Sequence, residues 1–160
     1  MADASVPMTS KGHQFLLEEL KRLKTVERPK NIRDIEEARD HGDLSENAEF
    51  HAAKDRQSLL DVQIREIEDK LARSQIIEVG KLSGDKVVFG ATVSLADGET
   101  GDKVVYQIVG DHEADPKNGK ISISSPIARA LIGKSEGDEV EVRTPTGVRT
   151  FDILSVDYIE

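Results

Sequence analysis

The chain has 160 residues, enough for one ordinary domain or two small ones, and holds no Cys and no Trp. Without cysteine it has neither disulfides nor thiolate metal sites, and no stretch approaches the ~20 apolar residues of a membrane helix. The formal net charge is −9, with 13 Lys and Arg against 17 Asp and Glu in residues 1–80 and 9 against 14 in residues 81–160, so neither half has the basic footprint of an independent nucleic-acid binder.

Met1 to Ser10 has no basic start and no apolar run, which argues against a signal peptide and places the protein by default in the cytoplasm. A cysteine-free chain suits that reducing compartment. Up to Gly80 helix formers dominate and only two earlier Gly occur, Gly12 and Gly42. After Gly80 come nine further Gly, many Val and Ile, and short alternating runs. The apolar period changes from 3.6 to 2. The expected class is therefore α+β, with residues 1–80 a helical hairpin and residues 81–160 a small antiparallel β domain with one short helix.

Thr9 or Ser10 caps the first helix, whose stripe runs through Leu16, Leu20 and Leu23 and continues at Ile32 and Ile35. Pro29 lacks an amide donor, so a kink or short break is expected there. His41 and Gly42 end the helix. A second helix carries Leu60, Ile64, Ile67 and Leu71 at heptad spacing. In an antiparallel hairpin, partners keep a constant sum of residue numbers. Leu16 with Leu71, Leu20 with Ile67, Leu23 with Ile64 and Ile35 with Ala52 all share one sum, and its midpoint puts the turn between Asp43 and Leu44. Ala38, Ala48, Ala52 and Ala53 keep the seam narrow near that turn. The same heptads would also serve a dimeric coiled coil, which needs no acidic turn.

In the second half, Val87 to Leu95, Lys103 to Val109, Lys120 to Ile123, Glu139 to Thr144 and Gly147 to Val156 read as strands. Ala96 to Asp102 reads as a turn and Thr144 to Gly147 as a hairpin turn. Ser125, Pro126 and Gly133 bracket a short helix.

At the tip, Asp40, Asp43, Glu46 and Glu49 follow one another in steps of three. Carboxylates are hard ligands that suit Mg²⁺, but two of them fill only part of an octahedral shell. Asp43 and Glu46 therefore make sense as half of a site completed elsewhere. The same spacing also matches a capping box, in which one acid is consumed by the helix start. Both readings stand at this level. Arg33, Arg39, Lys54 and Arg56 form either a phosphate-guiding patch or a solvated face with local ion pairs. His13, His41, His51 and His112 have no zinc spacing.

The run from Glu37 to Ala53, EARDHGDLSENAEFHAA, closely resembles the tip signature of the GreA/GreB transcription elongation factors. The resemblance continues at Phe89 to Thr92 (FGAT), Ile108 to Asp115 (IVGDHEAD) and Ser124 to Lys134 (SSPIARALIGK), and extends from Pro7 to Tyr158. It implies a coiled-coil hairpin and an FKBP-like C-terminal domain that binds bacterial RNA polymerase at the rim of its secondary channel. It implies that Asp43 and Glu46 help hold a Mg²⁺ of the polymerase and the attacking water, with no cofactor of the chain's own. Arg39 and Lys54 match basic positions near the backtracked RNA 3′ end, and Asn47 and Phe50 support the tip. The polymerase then performs the hydrolysis, releasing short 3′ fragments. Phe50 stands where the motif carries Tyr, and Ser45 where some relatives carry Lys. An antagonist of the same fold is the nearest alternative, and the intact Asp43 and Glu46 speak for cleavage. A prolyl isomerase would want clustered aromatics, which residues 81–160 lack. The expected state is a monomer.

Overall fold

The computed structural model describes residues 5–159, so the first four residues of the segment read for a signal peptide lie outside it. Its elements, in chain order, are β1 (Val6–Thr9), α1 (Ser10–Arg22), α2 (Arg28–Asp40), α3 (Ala48–Ala72), β2 (Ser74–Ile77), β3 (Thr92–Asp97), β4 (Lys103–Val109), β5 (Lys120–Ser122), α4 (Pro126–Leu131), β6 (Glu139–Thr144) and β7 (Gly147–Asp157). Two compact units divide the chain, one of Gln14–Ser74 and one of Ser5–His13 together with Gln75 onward. The expected boundary at residue 80 thus differs from the compact division, because β1 pairs with β2 and brings Ser5–His13 into the second unit. Among the described residues, no helix is long and apolar enough to cross a membrane.

The first unit is a helical hairpin. Leu23, Leu60 and Ile64 are buried together, with Leu20 and Ile67 packed against them, so two of the pairs assigned by residue-number sums, Leu20 with Ile67 and Leu23 with Ile64, meet in one cluster. Cross-helix ion pairs flank that seam: Lys24 to Glu68 at 3.0 Å, Glu27 to Arg56 at 3.1 Å and Arg28 to Asp61 at 3.4 Å. The second leg, α3, has 25 residues and is about 37 Å long at ~1.5 Å per residue.

No break occurs at Pro29. Instead one wide π-turn spans Leu23–Glu27, closed by the Arg28 N–H bonding to the Leu23 carbonyl, five residues back. Pro29 then falls in the first turn of α2, where a missing amide is tolerated. A π-turn uses one more residue than an α-turn, so the buried face beyond it is displaced by one position. Asn31, Ile35 and Ala38 are buried, whereas Ile32 is 44% exposed. Helical spacing from Leu23 leads to positions 30 and 34, and the extra residue moves them to 31 and 35, so Ile32 lies off the buried face. Asn31 takes its place and satisfies its polarity by donating from Nδ2 to the Ala53 carbonyl at 2.9 Å. On the opposite leg Ala53 is buried and Ala48 and Ala52 are exposed, so Ala53 stands where Ala52 was expected.

The second unit holds a five-stranded sheet in the order β5-β4-β3-β7-β6. The β4–β3, β3–β7 and β7–β6 pairs are antiparallel, as expected. β5 runs parallel to β4, because the loop of residues 110–119 carries the chain back before the strand begins. The sheet is therefore mixed. Its inward residues, Val93, Leu95, Ile108, Val140, Val142, Phe151 and Ile153, form one core with Ala128 and Leu131 of α4. Ser125 caps α4, accepting the Ala128 N–H at 3.3 Å, and Pro126 opens it.

The expected strand from Val87 is extended only from Thr92. Gly90 has φ +90°, and a Cβ there would lie 2.7 Å from Val79 Cγ2, so the chain turns against Val79 before it enters β3. Thr9 caps α1 through Oγ1, which accepts the Gly12 N–H at 3.1 Å. The Glu113 carboxylate in turn accepts from the Thr9 amide at 3.1 Å, the Gly110 amide at 3.3 Å and the Thr9 hydroxyl.

Candidate functional site

The hairpin turn spans residues 41–47. α2 stops at Asp40, and the His41 and Gly42 amides close its last carbonyls, donating to Ala38 and Arg39 at 3.2 Å each. Gly42 then adopts φ +106°, a conformation costly for any residue with a Cβ. This is why the helix ends where it does and why the acids fall in the turn.

The residue that starts α3 is neither tip acid. Asn47 is the N-cap: its Oδ1 accepts the Phe50 N–H at 3.0 Å. Its Nδ2 also donates to the Ala38 carbonyl at 2.6 Å, tying the two legs together across the turn. The capping-box reading of Asp43 and Glu46 is thereby overturned, because Asn has both an acceptor for the helix start and a donor for the opposite leg, whereas a carboxylate has only acceptors.

Asp43 and Glu46 are exposed. Asp43 Oδ1 accepts from the Ser45 amide at 3.1 Å and the Ser45 hydroxyl at 2.8 Å. That is a local turn that leaves Oδ2 uncommitted. Glu46 makes no hydrogen bond or ion pair among the described residues. The contact of Ser45 with Asp43 has a local sequence signal, Asp-x-Ser, a spacing that favours such turns. Leu44, between them, is 40% exposed.

Phe50 is half-buried, its ring edge-on to His51 at 5.7 Å. His41 Nδ1 lies 3.6 Å from Glu49, a pair that attracts only when the imidazole is protonated. Of the four nearby cations, Arg56 is spent on Glu27 and Lys54 donates to Gln57 at 2.9 Å. Arg39 and Arg33 have no side-chain partner among the described residues. No three His, Cys, Asp or Glu side chains among the described residues converge on a metal position. The donor set at the tip fits part of a Mg²⁺ shell and no more.

Fold and site together define a helical hairpin with two exposed carboxylates at its turn, followed by a small mixed sheet. The family description "Transcription elongation factor, N-terminal" matches residues 6–76, and "Transcription elongation factor, GreA/GreB, C-term" matches residues 82–158. Transcription elongation factor GreA of Phenylobacterium zucineum is 62% identical over 96% of this chain and 98% of its own length. That of Caulobacter vibrioides is 63% identical with the same coverage. The solved GreA factor homolog 1 protein of Thermus thermophilus is 30% identical over 95% of this chain and 98% of its own, with a TM-score of 0.43. The chain belongs to the GreA/GreB family of transcription elongation factors.

Proposed function

We propose that the chain is a transcript-cleavage factor and no enzyme by itself. It binds RNA polymerase, inserts the hairpin into the secondary channel, and lends Asp43 and Glu46 to the polymerase active site. There the polymerase hydrolyses backtracked RNA, and an arrested complex resumes. The observation that carries this reading is that Asn47, not either acid, caps α3. The two carboxylates are left at the end of the hairpin with no structural duty to the helices.

In this reading the acids supply oxygen ligands to a Mg²⁺ shared with the polymerase, and the chain holds no cofactor of its own. Bound there, the ion would polarise the phosphodiester and lower the pKa of a water. The chain's part is to deliver charge on a narrow support. Small side chains at Ala38 and Ala53 line the seam behind the tip, and Gly42 turns the backbone without adding bulk. Arg39 has an uncommitted guanidinium one turn before Asp43, suited to a phosphate of the RNA 3′ end. Lys54 releases only a neutral glutamine contact to do the same. The protein acts as a monomer in the cytoplasm, and the sheet unit holds the channel rim.

The test is RNA cleavage in stalled, backtracked complexes with wild-type protein beside the Asp43→Ala/Glu46→Ala variant. Stimulated cleavage should be lost and polymerase binding retained. Because both acids are exposed and cap nothing, the variant's fold should be unchanged. Cleavage that persists in the variant would refute the donated-ligand reading. Inhibition by the wild-type protein would instead mark an antagonist.

A further inference from the structure

Asp43 and Glu46 are not equivalent at the tip. Asp43 Oδ1 is held twice by Ser45, through the amide at 3.1 Å and the hydroxyl at 2.8 Å, whereas Glu46 is held by nothing among the described residues. Any residue at position 45 could offer the amide. Only a hydroxyl-bearing side chain supplies the second bond in this way. Two donors on one oxygen restrict rotation of the carboxylate and leave its other oxygen, Oδ2, to accept from outside.

We propose that Ser45 is a positioning residue, which orders the Asp43 carboxylate so that Oδ2 is the oxygen donated to the shared cation. This rests on the donated-ligand reading above. An exposed carboxylate that is free to rotate must be ordered when it is coordinated, and that ordering weakens binding. Ser45 has already done the ordering in the free protein. Asp43 is thus the fixed ligand and Glu46 the adaptable one, which reaches by its longer side chain.

Two measurements on the full chain test this. In the free protein, Asp43 Hα–Hβ couplings should report one dominant rotamer, and Ser45→Ala should average them while Ser45→Thr preserves them. In backtracked complexes, Ser45→Ala should raise the Mg²⁺ concentration for half-maximal stimulated cleavage about three- to tenfold, in line with the loss of one ordered side chain. Affinity for polymerase should not move, and Ser45→Thr should restore the wild-type Mg²⁺ requirement. Adding Ser45→Ala to Asp43→Ala should change nothing further, because Ser45 acts only through Asp43. Unchanged couplings, or averaged couplings with an unchanged Mg²⁺ requirement, would overturn the role of Ser45 while Asp43→Ala still loses cleavage. If Asp43→Ala itself retained full stimulation, the donated-ligand reading would fall and this inference with it.

Discussion

Asn47 Nδ2 donates to the Ala38 carbonyl at 2.6 Å, while Oδ1 of the same side chain receives the Phe50 amide at 3.0 Å. One residue therefore starts α3 and fastens it to the end of α2. Asn47→Ala removes both bonds. Loss of an N-cap alone costs about 1 kcal/mol, and the cross-turn bond adds about another, so thermal unfolding should show roughly 2 kcal/mol less stability. Asn47→Asp keeps the cap and loses the donor, and should recover about half. An unaltered midpoint in the Ala variant would contradict this account of the turn.

Asn31 is the buried polar residue of the seam. Asn31→Ala deletes its bond to the Ala53 carbonyl and leaves space, which should cost about 1–3 kcal/mol in urea unfolding. Asn31→Leu replaces it with an apolar group of similar size and should lie within about 1 kcal/mol of wild type, or above it. A large loss in the Leu variant would mean that Asn31 does more than fill the seam after the π-turn.

Gly12 faces the Glu113 carboxyl group so closely that a Cβ would collide with it. Gly12→Ala must displace Glu113 from the Thr9 and Gly110 amides. Overpacking of this kind costs about 1–3 kcal/mol. Glu113→Gln should be milder, since it keeps an acceptor oxygen in place. Circular dichroism melts of the two variants, ranked in that order, check the arrangement.

Asp97 is nearly buried between β3 and its turn. The Arg149 guanidinium at 2.7 Å, and then the Glu99 and Thr100 amides, hold its carboxyl down at about 2. A depressed folded-state pKa stabilises above the ordinary value of 3.8, and that contribution is lost as pH falls toward about 2. Asp97→Asn lacks it throughout. The gap in urea midpoint between wild type and Asp97→Asn should be constant above about pH 5 and shrink as the pH approaches 2. A gap that widened on acidification would reverse the sign of this argument.

Much of the hairpin was legible before any coordinates. Leu20, Leu23, Ile64 and Ile67 announce themselves by spacing alone, because helical periodicity is local and apolar side chains must share a face. The same local rules located the turn, the Gly42 stop, the Ser125 cap and two strands to the residue, Lys103–Val109 and Glu139–Thr144. The β1–β2 pair was not legible. Its strands have four residues each and lie far apart in sequence, and nothing local records such pairing. Nor was the parallel course of β5, which depends on how residues 110–119 return the chain.

At the site, sequence determined which carboxylates stand at the turn. Tertiary structure decided what they are free to do. Asp43 and Glu46 have capping-box spacing, and only the placement of α3 behind Asn47, with Ala38 within reach of its amide, shows that neither acid is consumed. Asn31, likewise, is buried where Ile32 was expected, with its amide on the Ala53 carbonyl. In both cases the deciding partner comes from the opposite leg, and a contact between segments brought together only by folding leaves no periodic mark on either.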